Sequence, residues 1–186
     1  VLASRRPLLI DDAPTHPLLD AVRELVSGTR FPYLALFPIA LEQREAPLAT
    51  LEQVERAHTV NYVTQLREFM EQVQDSGEPR HLDPDTVVCP GTWRAALRSA
   101  GAAVAATEAV FSGEVENAFC AIRPPGHHAT RSETMGFCFF NNVAIAARHA
   151  LDVLGLQRVA IVDFDVHHGN GTEDIIAGDD RVLMAS

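Results

Sequence analysis

Two short runs carry the chemistry of this chain, Arg123-Pro124-Pro125-Gly126-His127-His128 and Asp163-Phe164-Asp165-Val166-His167-His168-Gly169-Asn170-Gly171. They gather two His–His pairs with the carboxylates Asp163 and Asp165 beside apolar segments. Adjacent imidazoles and a D-x-D pair are costly to bury unless something binds them. A transition metal with an acid–base pair next to it is the economical explanation. Asp163, Asp165 and His167 are spaced by two, so continued strand geometry would point them to one side. A carboxylate and an imidazole in that relation suit zinc, which takes oxygen and nitrogen donors. Any one of these residues alone reads better as a loop cap, but the whole run after an apolar strand reads better as a ligand set. His127 and His128 follow a stiff Pro-Pro-Gly turn that can line one pocket with both rings. There a neutral imidazole takes a proton from metal-bound water and its protonated partner stabilises or donates. Gly169 and Gly171 before Thr172-Glu173-Asp174 also admit a phosphate-cradling loop, weakly, since no Lys follows and the neighbouring charges are acidic. Gly136-Phe137-Cys138-Phe139-Phe140-Asn141-Asn142 sets three aromatics before a helix, either plain core or the wall of a narrow apolar channel.

The elements that must position these loops alternate. Ala118 to Ile122 and Val159 to Phe164 are apolar runs of strand length, the second continuous enough for a strand covered on both faces. Asn142 to Leu154 reads as a helix ending at Gly155, and Arg181 to Ala185 as the next strand. Strand–helix–strand order predicts an α/β domain with a parallel sheet, whose ligands sit after the C-terminal strand ends. Upstream, residues 1–49 are irregular and proline-rich, with one amphipathic helix from His16 to Ser27. Thr50 and Gln53 form a capping box before Leu51, Val54 and Ala57. A second helix spans Val60 to Gln74 with Val63, Leu66, Phe69 and Met70 inward. A turn-rich stretch, Gly77 to Pro90, precedes a long, buried, alanine-heavy helix from Thr92 to Phe111 that stops near Gly113.

The chain has 186 residues, 47% of them hydrophobic, a net charge of −10 and a pI near 5.2. That charge disfavours phosphate-backbone binding and tolerates cationic partners such as lysine-rich tails or polyamines. Cys89, Cys120 and Cys138 make no disulfide framework and no C-x-x-C, so the expected setting is a reducing, cytoplasmic one. No signal peptide follows Arg5 and Arg6, and no run reaches membrane-span length. A chain that begins with Val1 is expected to be processed, trimmed or incompletely represented.

R-P-P-G-H-H-A at 123–129, G-F-C-F-F-N-N at 136–142 and D-F-D-V-H-H-G-N-G-T at 163–172 closely resemble the zinc-dependent histone deacetylase superfamily. The match is nearest to its class II-like branch and to bacterial relatives that include acetylpolyamine amidohydrolases. Leu48-Ala49-Thr50, His58-Thr59-Val60-Asn61-Tyr62 and Pro84-Asp85-Thr86 through Trp93 add support. The resemblance implies a three-layer α-β-α arginase/deacetylase-like fold with a mainly parallel sheet. It implies that Asp165 and His167 are zinc ligands, with ferrous iron also compatible with such a pair. His127 becomes the base or electrostatic partner of the zinc water, and His128 the base and acid that protonates the leaving amine. Asp163 supports His127 and offers a potassium site with backbone groups of His167 and Ser186. Asn170 stands where many relatives have an Asp paired with His128. Phe137 walls the acyl-lysine channel, and Gly136 lets the substrate stem approach. The reaction implied is amide hydrolysis of acyl-lysine or acetylpolyamine, through a tetrahedral intermediate, to acetate and amine.

The family's third zinc ligand, an Asp, and its oxyanion-stabilising Tyr come later in the domain. After His167 this chain offers Glu173, Asp174, Asp179 and Asp180, none in a matching motif, and its tyrosines, Tyr33 and Tyr62, precede the motifs. The family's N-terminal stretch is reduced to Thr15-His16-Pro17. The expectation is a partial deacetylase domain over 1–186, its N-terminal half, with an irregular region at 1–49 and the motifs in 50–186. A non-catalytic fragment that binds acyl-lysine or a protein partner is the competing expectation, and kinship to the manganese hydrolases that share the fold is weaker. An incomplete sheet would leave an edge and apolar faces prone to self-association.

Overall fold

The computed structural model describes residues 8–10, 34–36 and 44–186, and the chain divides into two compact units, Val1–Glu45 and Ala46–Ser186. In the first unit Leu8–Ile10 (β1) pairs antiparallel with Leu34–Leu36 (β2). The helix expected from His16 to Ser27, the Thr15-His16-Pro17 stretch and Tyr33 lie outside the described residues.

In the second unit the capping box forms as its sequence dictates. Thr50 Oγ1 accepts from the Gln53 amide at 3.2 Å, and Gln53 Oε1 accepts from the Thr50 amide at 2.9 Å. This starts Leu51–Glu55 (α1). Val60–Ser76 (α2) is capped by Thr59, buries Tyr62, Val63, Leu66, Met70 and Val73, and ends at Gly77 with φ 74°. A left-handed residue is the usual helix stop, and glycine takes it without steric cost. Arg80–His81 (β3) and Val87–Val88 (β4) form a small antiparallel pair. Its turn is tied by Asp83 Oδ1, which accepts from the amides of Asp85 and Thr86 at 2.8 and 2.7 Å.

Thr92–Phe111 (α3) is buried along one face only, through Ala96, Ser99, Ala100, Gly101 and Val104, while Val110 and Phe111 are exposed. The long buried helix expected there is thus buried on one face: alanine content permits close packing on any side, but the neighbours lie on one. Asn142–Asp152 (α4) packs against α3 and is capped by Asn141, whose Oδ1 accepts from the Ala144 amide at 3.1 Å. The main core joins these helices through Val54, Val63, Met70, Val104, Phe139, Phe140, Ile145 and Ile175.

Ala118 to Ile122 is not a strand. It has no ladder partner among the described residues, and Phe119 is 85% exposed. Apolar composition makes a strand only where a neighbour takes its N–H and C=O groups. Val159–Val162 (β5) and Val182–Ala185 (β6) pair in parallel, Ile161 opposite Met184, and Asn170–Ile176 (α5) lies between them in sequence. Ile161 packs with Ala147 and Ile176, flanked by Val159, Val182 and Met184. Val162 and Leu183 are each 70% exposed, so this pair is covered on one face rather than the two expected.

Below β5 and β6 an ionic cluster fixes the end of α5. Arg148 donates to the Ile175 carbonyl at 2.9 Å and pairs with Asp179. Arg181 bonds Asp179 at 2.7 Å and Asp152 at 3.0 Å. The side-chain and backbone N–H groups of Arg181, aided by the Arg148 charge, hold the Asp179 carboxyl well below the usual carboxylate range. A depressed carboxylate stabilises the fold above its unfolded pKa, about 3.9, and loses that effect as pH falls through the folded value. The stability gap between wild type and Asp179→Asn in urea should therefore be full near neutrality and shrink below about pH 4. A gap that stays constant on acidification would contradict this.

Candidate metal and histidine site

The loop after β5 is not a continued strand, contrary to the period-two expectation. Regular geometry ends at Val162, because each carboxylate bonds the backbone two residues on. Asp163 Oδ1 accepts from the Asp165 amide at 3.2 Å, and Asp165 Oδ1 from the His167 amide at 2.7 Å. Both carboxylates thus make the loop-capping bonds expected of such residues taken singly. The turns bring Asp165 Oδ1 and His167 Nδ1 to 3.0 Å, with half of the Asp165 side chain and 72% of the His167 side chain exposed. Two ligands held about 2.0–2.2 Å from one ion can share such a separation, so the oxygen–nitrogen pair fits a zinc-type metal. The bonds from His167 lower the Asp165 pKa, keeping it an anionic donor. Among the described residues no group of three or more His, Cys, Asp or Glu is arranged to hold an ion.

The histidine pair is assembled by α5. Gly171 and Thr172 amides both donate to the His127 carbonyl, at 3.0 and 3.1 Å. A Cβ on Gly171 would stand 2.3 Å from the Ala129 carbonyl oxygen, so only glycine lets helix and loop meet. This use of the amides also removes the phosphate-cradle reading of Gly169 to Gly171. His127 Nδ1–H donates to Asp163 Oδ2 at 2.8 Å, and His128 Nδ1–H donates to Asn170 Oδ1 at 2.7 Å. The two ring centroids are 4.1 Å apart, and His128 lies 6.0 Å from His167. With each Nδ1 engaged, both Nε2 atoms are left for chemistry.

Gly136 (φ 55°) and Phe137 (φ 65°) form a left-handed turn over His128. A Cβ on Gly136 would be 2.5 Å from His128 Cδ2. Gly136 therefore lets its turn lie directly against the His128 ring. Phe137 is 61% exposed, and its amide donates to the buried Thr86 hydroxyl at 3.2 Å. The three aromatics divide: Phe139 and Phe140 are core, and Phe137 alone is presented to solvent. Tyr62 is structural, its buried hydroxyl donating to the Phe139 carbonyl at 2.6 Å. Ser186 Oγ accepts from the Gly169 amide at 3.0 Å and lies 3.1 Å from His168 Nδ1. Cys89, Cys120 and Cys138 are free thiols.

The family model described as histone deacetylase domain matches residues 20–186. The chain belongs to that family. A histone deacetylase-like amidohydrolase of Pseudomonas aeruginosa is 43% identical over 78% of this chain and 37% of its own length. A probable deacetylase of Archaeoglobus fulgidus is 39% identical over 95% of this chain and 47% of its own length. The human polyamine deacetylase HDAC10 is 41% identical over 78% of this chain and 23% of its own length. The chain therefore spans less than half the length of these relatives. The crystal structure of the HDA15 HD domain superposes with a TM-score of 0.68 and 35% identity, over 80% of this chain and 38% of that one. The fold is accordingly the α/β deacetylase fold, of which this chain is a part; among the described residues its parallel component is β5–β6. No helix of the described residues is long and apolar enough to cross a membrane.

Sequence reasoning missed Asn141, Thr86 and Thr172. Asn before an apolar helix is a readable cap signal, but burial of the two threonines depends on contacts far along the chain. Gly171→Ala gives a direct check on the helix–loop contact. Propensity alone favours alanine by about 1 kcal/mol, whereas forcing the backbones apart costs about 1–3 kcal/mol. A net loss in urea unfolding is expected, and unchanged or raised stability would contradict the close approach.

Proposed function

We propose that the protein containing this chain is a metal-dependent amidohydrolase that cleaves the amide of acyl-lysine or an acetylated polyamine, giving acetate and free amine. The observation that carries this reading is the pair of imidazoles, each anchored at Nδ1 by a different side chain, beside the Asp165–His167 donor pair. Relatives named as deacetylases, one of them a polyamine deacetylase, support the reaction class. Asp165 and His167 would hold the zinc, which supplies polarisation of the amide carbonyl and a lowered pKa for its water when bound. His127, oriented by Asp163, holds a proton at Nδ1 and presents Nε2 to the reacting oxygen. His128 takes a proton at Nε2 and returns it to the departing nitrogen. Asn170 holds the same tautomer as a carboxylate would, without adding charge. Phe137 offers an apolar face to an acyl-lysine stem, and Gly136 keeps the turn clear of His128. A potassium ion at Asp163 with backbone groups of His167 and Ser186 is part of this reading.

A second reading, a catalytically incomplete module that binds acyl-lysine or a protein partner, is favoured by one observation. Only two donors of a possible set come together among the described residues, whereas a catalytic zinc usually has three. Hydrolysis of an acetyl-lysine peptide and of an acetylated polyamine by the intact protein decides between them. His128→Ala and Asp165→Ala are each expected to lower the rate by about 100-fold or more. Wild-type rates in both variants, or no hydrolysis by the wild type, would overturn the proposal.

A further inference from the structure

The site chemistry above uses neither Asn141 nor Thr172, yet both are fully buried polar side chains that meet behind the histidine loop. Asn141 Nδ2 donates to the Ala129 carbonyl and to Thr172 Oγ1, both at 3.1 Å. Thr172 Oγ1 lies 3.3 Å from Asn141 Oδ1, the atom that also caps α4. The Asn141 amide donates to Nε2 of buried His58 at 2.9 Å. Burial pushes the His58 pKa down to about 4, which keeps that ring neutral and its nitrogen an acceptor.

These bonds bracket His128. Ala129, the next residue, is held by Asn141, and His127, the residue before, is held through its carbonyl by the Thr172 and Gly171 amides. The ring of His128 is held by Asn170, two residues before Thr172 on the same helix turn. Thr172 therefore touches the loop backbone with its amide and, through Asn141, ties that backbone to the start of α4. Interiors are close-packed, so a shift of this junction moves the ring rather than being absorbed.

We propose that Asn141 and Thr172 are positioning residues, which set the aim of the His128 imidazole through the backbone on either side of it without contacting substrate. The inference rests on the deacetylase reading of the site. It implies that the Thr172 hydroxyl matters for turnover beyond what it contributes to stability. Supporting side chains of this kind typically change activity by about 10–100-fold when removed.

The test is Thr172→Val beside Thr172→Ser in the intact protein, with His128→Ala as the control. Valine keeps the volume and loses the hydroxyl; serine keeps the hydroxyl and loses a methyl. The expected result is a kcat at least about 10-fold lower for Thr172→Val, with KM nearly unchanged and near-wild-type kcat for Thr172→Ser. Nitrogen NMR of the imidazole is expected to show the His128 Nδ1–H signal exchanging faster with water in Thr172→Val alone. Rates per folded molecule equal to wild type in Thr172→Val, or a kcat order that follows melting temperature, would overturn the positioning role. If Thr172→Val does not fold, Thr172→Ser decides: a kcat drop matching that of His128→Ala despite a retained hydroxyl refutes it, and near-wild-type kcat supports it. A wild-type rate in His128→Ala would instead strike the deacetylase reading itself.

Discussion

The carbonyl of His127 accepts two amides from the first turn of α5, and much of the site depends on that grip. It requires that Gly171 carry no side chain, since the Ala129 carbonyl occupies the space a Cβ would need. Once helix and loop are pressed together, Asn170 lies at the right height for the His128 ring and Asp163 for the His127 ring. Buried backbone acceptors must find donors, so the loop's conformation and the helix's start are one requirement met twice. The Arg148–Asp179 cluster and the Arg131 guanidinium, which donates to the Ile175 carbonyl at 3.0 Å, fix the other end of α5. The helix has seven residues, too short to be stable alone. Its position comes from these tethers and from the burial of Ile175 and Ile176.

The two imidazoles differ chemically although they are adjacent. His127 Nδ1 is held by a carboxylate oxygen of Asp163, and His128 Nδ1 by the neutral amide oxygen of Asn170. One neighbouring pair thus presents two imidazoles oriented by different kinds of acceptor. The Gly136–Phe137 turn covers the second ring, and the Thr86 hydroxyl on the β3–β4 side holds that turn in place. Three parts of the sequence converge on the histidines and their covering turn: the first turn of α5, the loop after β5 and the β3–β4 turn.

Much of this was legible beforehand, for reasons that can be named. The start of α1 follows from the Thr50 capping box and the end of α4 shortly before Gly155 from that glycine, whereas the helix read as ending at Gln74 runs on to its stop at Gly77. The pairings of His127 with Asp163 and of His128 with Asn170 follow from the family resemblance of the motifs. Features set by distant neighbours were not legible. Val159 to Phe164 is as apolar as a doubly covered strand, yet only its Ile161 side meets α4 and α5. Ala118 to Ile122 has strand composition and no partner among the described residues. Asp163 and Asp165 obey a period of two in sequence, but their carboxylates bond the backbone ahead and end the strand. Thr172 looked like part of a polar loop and is buried at the junction of three elements.

The central claim is that Asp165 and His167 are donors to one bound metal ion beside the histidine pair. Native mass spectrometry of the intact protein, with Asp165→Ala and His167→Ala measured alongside, tests it most directly. The account predicts about one zinc-type ion per wild-type chain at a site built like a catalytic zinc centre, and its loss from both folded variants. A wild-type protein that holds no metal, or variants that keep it, would contradict the account.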